Sequence, residues 1–162
     1  MKKRQLQDHD ECPVCGRGPE KILHVLRCTD ERMRLWWQHN LSIIHQWMID
    51  NDGMPELVRA IMARLNQWSQ DPFLTPPFRS RSTSVSRTIT DQDAIGWYQF
   101  ILGRVGRSFA ETQHEHLQSI FKKRTGLRWV QALINKLWDV SWDMWAHRNG
   151  IKHNTVTHSS TS

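Results

Sequence analysis

Cysteine is scarce in this chain and cannot build a disulfide framework: 162 residues hold three, an odd number. Small secreted domains depend on paired cysteines, so their lack here points to a reducing compartment, nuclear or cytosolic. No apolar run approaches the roughly 20 residues a bilayer-spanning helix needs, and the mean hydropathy is −0.63. The first residues, "MKKRQLQDHDE", are basic but lack the apolar stretch of a secretory signal. The expectation is therefore no membrane association. Signatures of catalysis are missing as well. The zincin pattern H-E-x-x-H is absent. "GRVG" at 103–106 has neither the spacing nor the context of a phosphate loop. No nucleophile stands at convincing spacing from a base. No catalytic residue is assigned, and an enzyme is not expected.

What the chain does have is a four-ligand set that uses every cysteine. Cys12, Cys15, His24 and Cys28 read C-x2-C-x8-H-x3-C. A structural Zn²⁺ takes four thiolate or imidazole ligands in a tetrahedron. Pro13 and Gly16 tighten the first pair. His24 and Cys28, spaced i, i+4, share one face of a helical turn. A turn of chain opposite a turn of helix closes such a site around one ion. The set is ligand-saturated, which makes it structural and not catalytic. His9 is a weaker substitute for His24. The plain alternative is three reduced cysteines and an ordinary histidine.

Positive charge is the second asset. The formal net charge is +6 and the pI about 9.7. Arg79, Arg81 and Arg87 form one group without a nearby acid, and Lys122, Lys123, Arg124 and Arg128 form another. Excess base favours polyanions, nucleic acid first. A solvated surface on a basic protein is the bland alternative. Arg17, Lys21 and Arg27 around the zinc loop are further candidate contacts. Two other clusters read as structural. Asp91 and Asp93 sit where a helix is expected to begin and suit a cap and first turn. His114 and His116, flanking Glu115, diverge on a helix and do not converge on one ion.

Hydrophobic periodicity predicts a mainly α protein: a small CCHC zinc module followed by an irregular bundle of about five helices with a long central loop. The module spans 10–30. Thr29 caps a helix carrying Met33, Trp36, Trp37, Leu41, Ile44, Trp47 and Met48. "NDG" at 51–53 breaks it, and Pro55 opens a second helix with Leu57, Val58, Ile61, Leu65 and Trp68. Together these form a helical hairpin over 31–69. Residues 70–90, rich in Pro, Ser, Thr and Arg, read as a flexible loop that tethers or touches phosphate, with the tether preferred. C-terminal helices fill 91–153. The first has a face of Ile95, Tyr98, Ile101, Leu102 and Val105, weakened by Gly96, Gly103 and Gly106, which mark either close packing of a neighbouring helix or a break near Gly106. Phe109, Gln113, Leu117, Ile120 and Phe121 continue that pattern until Gly126 ends it. The last helix, about 127–150, carries four of the chain's nine tryptophans. Val130, Leu133, Ile134, Leu137, Trp138, Trp142 and Trp145 line it, and Trp138, Trp142 and Trp145, at i, i+4 and i+7, are expected to be buried together. Asn149 and Gly150 read as its stop, and 154–162 as a disordered tail.

Two separated motifs resemble the zinc-binding region that follows the polymerase in non-LTR retrotransposon reverse transcriptases. One is "CPVCGRGPEKILHVLRC" with the following "MRLWW"; the other is "WDVSWDMWAHRNGIKH". The matching positions are Cys12, Cys15, His24 and Cys28, then Trp142, Trp145, Arg148 and Asn149. Many members place four residues between the histidine and the last cysteine, whereas this chain has three. The paired aspartates of the polymerase are missing. The resemblance covers about 10–48 and 138–153. It implies a detached tail of such a protein that holds RNA or DNA without polymerising. Three readings compete: a zinc-stabilised nucleic-acid-binding module, a helical protein–protein interaction domain with a possible protein partner, and an inactive retroelement relic.

Protein purified without chelator should carry one zinc ion per chain by elemental analysis. Cys28→Ser should abolish that content while leaving most of the helical circular dichroism.

Overall fold

A computed structural model of the chain describes residues 31–71, 73 and 75–156, with side chains described up to residue 146 except Met33. The expected zinc module, with Cys12, Cys15, His24 and Cys28, lies outside the described residues, as do Arg17, Lys21, Arg27 and positions 157–162. Among the described residues the protein is mainly helical and contains no strand. Its helices are α1 Glu31–Asp50, α2 Pro55–Gln70, α3 Thr83–Ile95, α4 Trp97–Ile101, α5 Ser108–Ser119 and α6 Gly126–Val156. Contacts divide the chain into two units. One is Leu41–Val140; the other combines Met1–Asn40 with Ser141–Ser162.

Within Leu41–Val140, α3 packs against α2, α4 and α5. The expected stripe of α2 is buried throughout: Leu57, Val58, Ile61, Leu65 and Trp68. Pro55 opens that helix, where its missing N–H costs nothing. Leu41, Ile44 and Met48 bury the inner face of α1. Trp97, Phe100 and Phe109 form a chain of tilted rings with centroids 5.1 and 5.8 Å apart. In the other unit, Trp37, Asn40 and Met144 are buried, and the Asn40 amide donates to the Trp36 carbonyl at 2.8 Å.

Helix α3 corrects the expected loop over 70–90 and adds a sixth helix. Ser82 is its N-cap, accepting from the Val85 N–H at 3.2 Å. The buried face is Val85, Thr88, Ile89 and Gln92, spaced i, i+3, i+4 and i+7. Half of that stripe is polar, which hides it from an apolar count. Each polar member is satisfied. Thr88 pairs with the Thr112 hydroxyl at 2.8 Å and donates to the Ser84 carbonyl. Gln92 donates to the Gly96 and Arg104 carbonyls and accepts from the Gly106 N–H. The Ser-rich lead-in is also held: the Ser80 hydroxyl bonds to Glu56, and its N–H donates to the Ser86 hydroxyl at 3.0 Å.

Asp91 and Asp93 therefore lie late in α3 and are not its caps. Asp91 accepts from the Ser108 hydroxyl. Asp93 forms a two-pronged pair with buried Arg64, at 3.1 and 2.8 Å, and accepts from the Trp97 indole at 2.7 Å. Arg64 also donates to the Pro76 carbonyl at 2.5 Å and lies 5.7 Å from the Phe78 ring centroid. One guanidinium thus ties α2, the proline segment and α3 together.

The glycine-rich stretch after α3 is a pair of bends and not a long helix. Gly96 (φ 108) separates α3 from α4, and Gly103 (φ 91) follows α4. Both conformations suit a residue without Cβ. A Cβ at Gly103 would sit 2.3 Å from the Trp138 Nε1. Trp138 lies across that bend and donates its indole N–H to the Leu102 carbonyl at 2.9 Å.

The tryptophan stripe of α6 is a further correction. Trp138 is 56% exposed and Trp142 69% exposed. The buried face keeps the expected Val130, Leu133 and Leu137 and completes them with Trp129, Val140 and Met144. Apolar residues surround this helix, so two stripes compete in sequence. The Trp129 stripe wins because the Trp129 ring meets Trp47 at 5.7 Å and its N–H finds the Asn51 carbonyl at 3.0 Å. Asn149 and Gly150 do not stop α6, which runs on to Val156. An interior glycine costs about 1 kcal/mol, a small term against a helix of 31 residues.

Arg64→Ala should destabilise the protein by about 3–5 kcal/mol in chemical denaturation, because it leaves the Asp93 carboxylate part-buried without its cation. Arg64→Ala with Asp93→Asn should cost less than the sum of the single changes.

Candidate nucleic-acid interface

The expected basic cluster Lys122, Lys123, Arg124 and Arg128 sits at the junction of α5 and α6. The end of α5 is a Schellman motif: the Lys122 N–H donates to the Leu117 carbonyl at 2.9 Å and the Phe121 N–H to the Gln118 carbonyl at 3.1 Å. The motif needs a left-handed residue, usually glycine. Here Phe121 fills it, at φ 59, a conformation that costs an L-residue roughly 1–2 kcal/mol. Its ring is 94% exposed, so burial does not offset that cost.

Gly126 does not end the preceding helix, as its sequence context suggests; it begins α6. Thr125 caps the start, its hydroxyl accepting from the Arg128 N–H at 3.1 Å. The Gly126 N–H donates to the His114 Nδ1, also at 3.1 Å. A Cβ at Gly126 would lie 1.9 Å from the Ala110 carbonyl oxygen. The start of α6 is thus pressed onto the backbone of α5.

The other anchor is the turn at 51–54. Buried Gln113 on α5 accepts from the Met54 N–H at 3.0 Å and donates to the Asp52 carbonyl at 2.8 Å. Trp129 donates to the Asn51 carbonyl. Arg124 donates to the Asn51 Oδ1 at 3.1 Å, and Lys122 lies 3.7 Å from Asp52. Those two cations partly serve the fold. Lys123 and Arg128 are exposed, and their side chains have no hydrogen-bond or ion-pair partner among the described residues.

Lys123, Arg124 and Arg128 line an open groove of about 540 Å³, completed by Gln131, Ala132 and Asn135. The α6 members stand at i, i+3, i+4 and i+7, one helical face. Cations crowd the start of that face, and two carboxamides follow, each able to donate and accept. Phosphate suits the first part and the polar edges of bases or sugars the second. Gln131 and Asn135 carry no motif of their own in the sequence. Their signal was the polar stripe beside Leu133 and Leu137, visible once the buried face is known.

Arg79, Arg81 and Arg87 do not line this groove. Arg79 and Arg81 are exposed before α3. Arg87 pairs with Glu111 at 3.0 Å, both largely exposed. A second hollow of about 490 Å³ is lined by Ala110, Glu111, His114, Glu115, Thr125 and Leu127. His114 serves as acceptor for α6, and Glu115 accepts weakly from Ser84 at 3.4 Å. Among the described residues no three His, Cys, Asp or Glu side chains gather as a metal site. The Tyr98 phenol is pushed above its ordinary value by burial, with Arg104 acting in the opposite direction. No helix among the described residues is long and apolar enough to cross a membrane. Comparison with protein-family models, curated proteins and solved structures returns no match.

Gly126→Ala should lower stability by about 1–3 kcal/mol or more, since backbone and not a flexible side chain occupies the Cβ position. Thermal melting checks this. Ala at the neighbouring exposed Leu127 should be close to neutral by the same measurement.

Proposed function

We propose that this chain is a non-catalytic, zinc-stabilised nucleic-acid-binding module working in a reducing compartment, nuclear or cytoplasmic. The observation that carries the reading is the groove of Lys123, Arg124 and Arg128 with Gln131 and Asn135. Its cations converge on one face, which favours phosphate contact over a merely solvated basic surface. The zinc proposal rests on the spacing of Cys12, Cys15, His24 and Cys28. The two motifs resembling the zinc-binding tail of non-LTR retrotransposon reverse transcriptases support an origin as a detached tail that holds RNA or DNA. Arg79, Arg81 and Arg87 remain secondary contacts in this proposal, acting outside the groove.

Titration against single-stranded RNA, single-stranded DNA and duplex DNA at several salt concentrations tests it. Three to four phosphates neutralised on a single strand give log affinity a slope against log salt of about −2 to −3. Lys123→Glu with Arg128→Glu should flatten that slope by about 1.4 and leave the melting temperature nearly unchanged. Wild-type protein that binds no nucleic acid at low salt would sink the reading.

One observation favours a second reading, a helical protein-interaction domain. Leu35 and Trp142, both in the unit outside Leu41–Val140, are well exposed. Exposed apolar side chains of that size are contacts that a protein partner would cover. Trp142→Ala should then abolish partner binding with little change in melting temperature.

A further inference from the structure

We infer that Phe121 is a stacking platform for an unpaired base, which makes single-stranded nucleic acid the preferred ligand of the groove beside it. The inference rests on the nucleic-acid reading above and adds to it the strand type and the residue that selects it.

Strain and exposure together single out this ring. The Schellman end of α5 accepts glycine without cost, yet position 121 holds a phenylalanine at φ 59. Backbone strain persists where the surrounding structure imposes it and concentrates where function uses it. The ring contributes almost nothing to the core, being 94% exposed. Asp52, the other left-handed residue among the described ones that is not glycine, has φ 61. Aspartate tolerates that conformation, whereas for a bulky aromatic it is an outlier.

Charge around the ring selects the ligand. Lys122 follows Phe121 directly, and Lys123, which lines the groove, has its Cα within about 7 Å by chain length alone. In this proposal a strand whose phosphates lie on Lys123, Arg124 and Arg128 places one base on the ring. Aromatic stacking on an unpaired base is tolerant of sequence, because every base has a π-face. Bases in a duplex are already stacked on one another, so a duplex gains only the phosphate contacts. An anionic membrane surface also attracts an exposed aromatic beside lysines. A planar surface, however, does not enter a groove whose far end is Gln131 and Asn135, and those carboxamides match base and sugar edges.

The test compares four probes with the full chain: oligodeoxythymidylate, its abasic counterpart of equal length, a DNA duplex, and phosphatidylcholine–phosphatidylserine vesicles. Wild-type protein should bind the base-containing strand roughly 5- to 160-fold more tightly than the abasic strand, the range expected for one stacked base. Phe121→Gly should erase that difference, leave abasic and duplex affinities unchanged, and melt at or above the wild-type temperature because the left-handed strain is relieved. Phe121→Trp should keep the preference. Equal wild-type affinity for the base-containing and abasic strands overturns the stacking role while leaving the cationic groove in place. A Phe121→Gly variant that still prefers the base-containing strand also overturns it. Vesicle binding that depends on Phe121, without any single-strand preference, assigns the ring to a membrane and overturns the proposal. Loss of all nucleic-acid binding in the wild type removes the groove reading and this one with it.

Discussion

The carboxamide of Gln113 holds together the region on which the groove depends. It is fully buried on α5, and it satisfies one N–H and one carbonyl of the turn between α1 and α2. A buried backbone group without a partner costs about 1–3 kcal/mol, so the turn is specified by what α5 offers it. Once the turn is in place, its Asn51 carbonyl receives the Trp129 indole. That bond sets the rotation of α6 and thereby the direction of its outward face. Gly126 and His114 set the distance between α5 and α6 at the same end. The groove residues Arg128, Gln131, Ala132 and Asn135 inherit their orientation from these contacts.

A second set of buried polar groups fixes α3. Gln92 plays for the bends around α4 the part Gln113 plays for the first turn, taking one N–H and supplying two donors. Thr88 and Thr112 mate across α3 and α5, and Arg64 with Asp93 joins α2 to α3. An apolar interface tolerates sliding by a turn; paired hydroxyls, carboxamides and a two-pronged ion pair do not. Such buried ion pairs add little net stability compared with apolar packing. Their consequence is that a shifted register leaves several polar groups without partners at once.

Charge at the α5–α6 junction is divided between fold and surface. Arg124 and Lys122 lean on Asn51 and Asp52, which stiffens the connection without burying it. Lys123 and Arg128 point outward from this stiffened base. Cations held on a rigid element meet phosphate with less loss of conformational freedom than cations on a mobile tail. The strained Phe121 is part of the same arrangement, since its left-handed backbone turns the chain from α5 into the basic stretch.

The elements legible in sequence were those whose buried faces are apolar. The stripe of α2 could be read residue by residue, and so could the break at 51–53 and the basic residues beside α6. Helix α3 was not legible, because Thr88 and Gln92 occupy half its inner face and only their partners on α5 and at the α4 bends make burial tolerable. The central tryptophans of α6 misled for the converse reason: large apolar residues all around a helix do not say which side is covered. By itself the sequence determined the helical class, the run of cations and the spacing of its cysteines, all of which follow from local periodicity and residue chemistry. Tertiary structure alone decided that Trp129 and not Trp142 faces inward, that Gly126 starts a helix instead of ending one, and that Gln131 and Asn135 join the cations in one groove. Each of those outcomes depends on a hydrogen bond or a close approach between residues distant in sequence, and no local pattern encodes such a pairing.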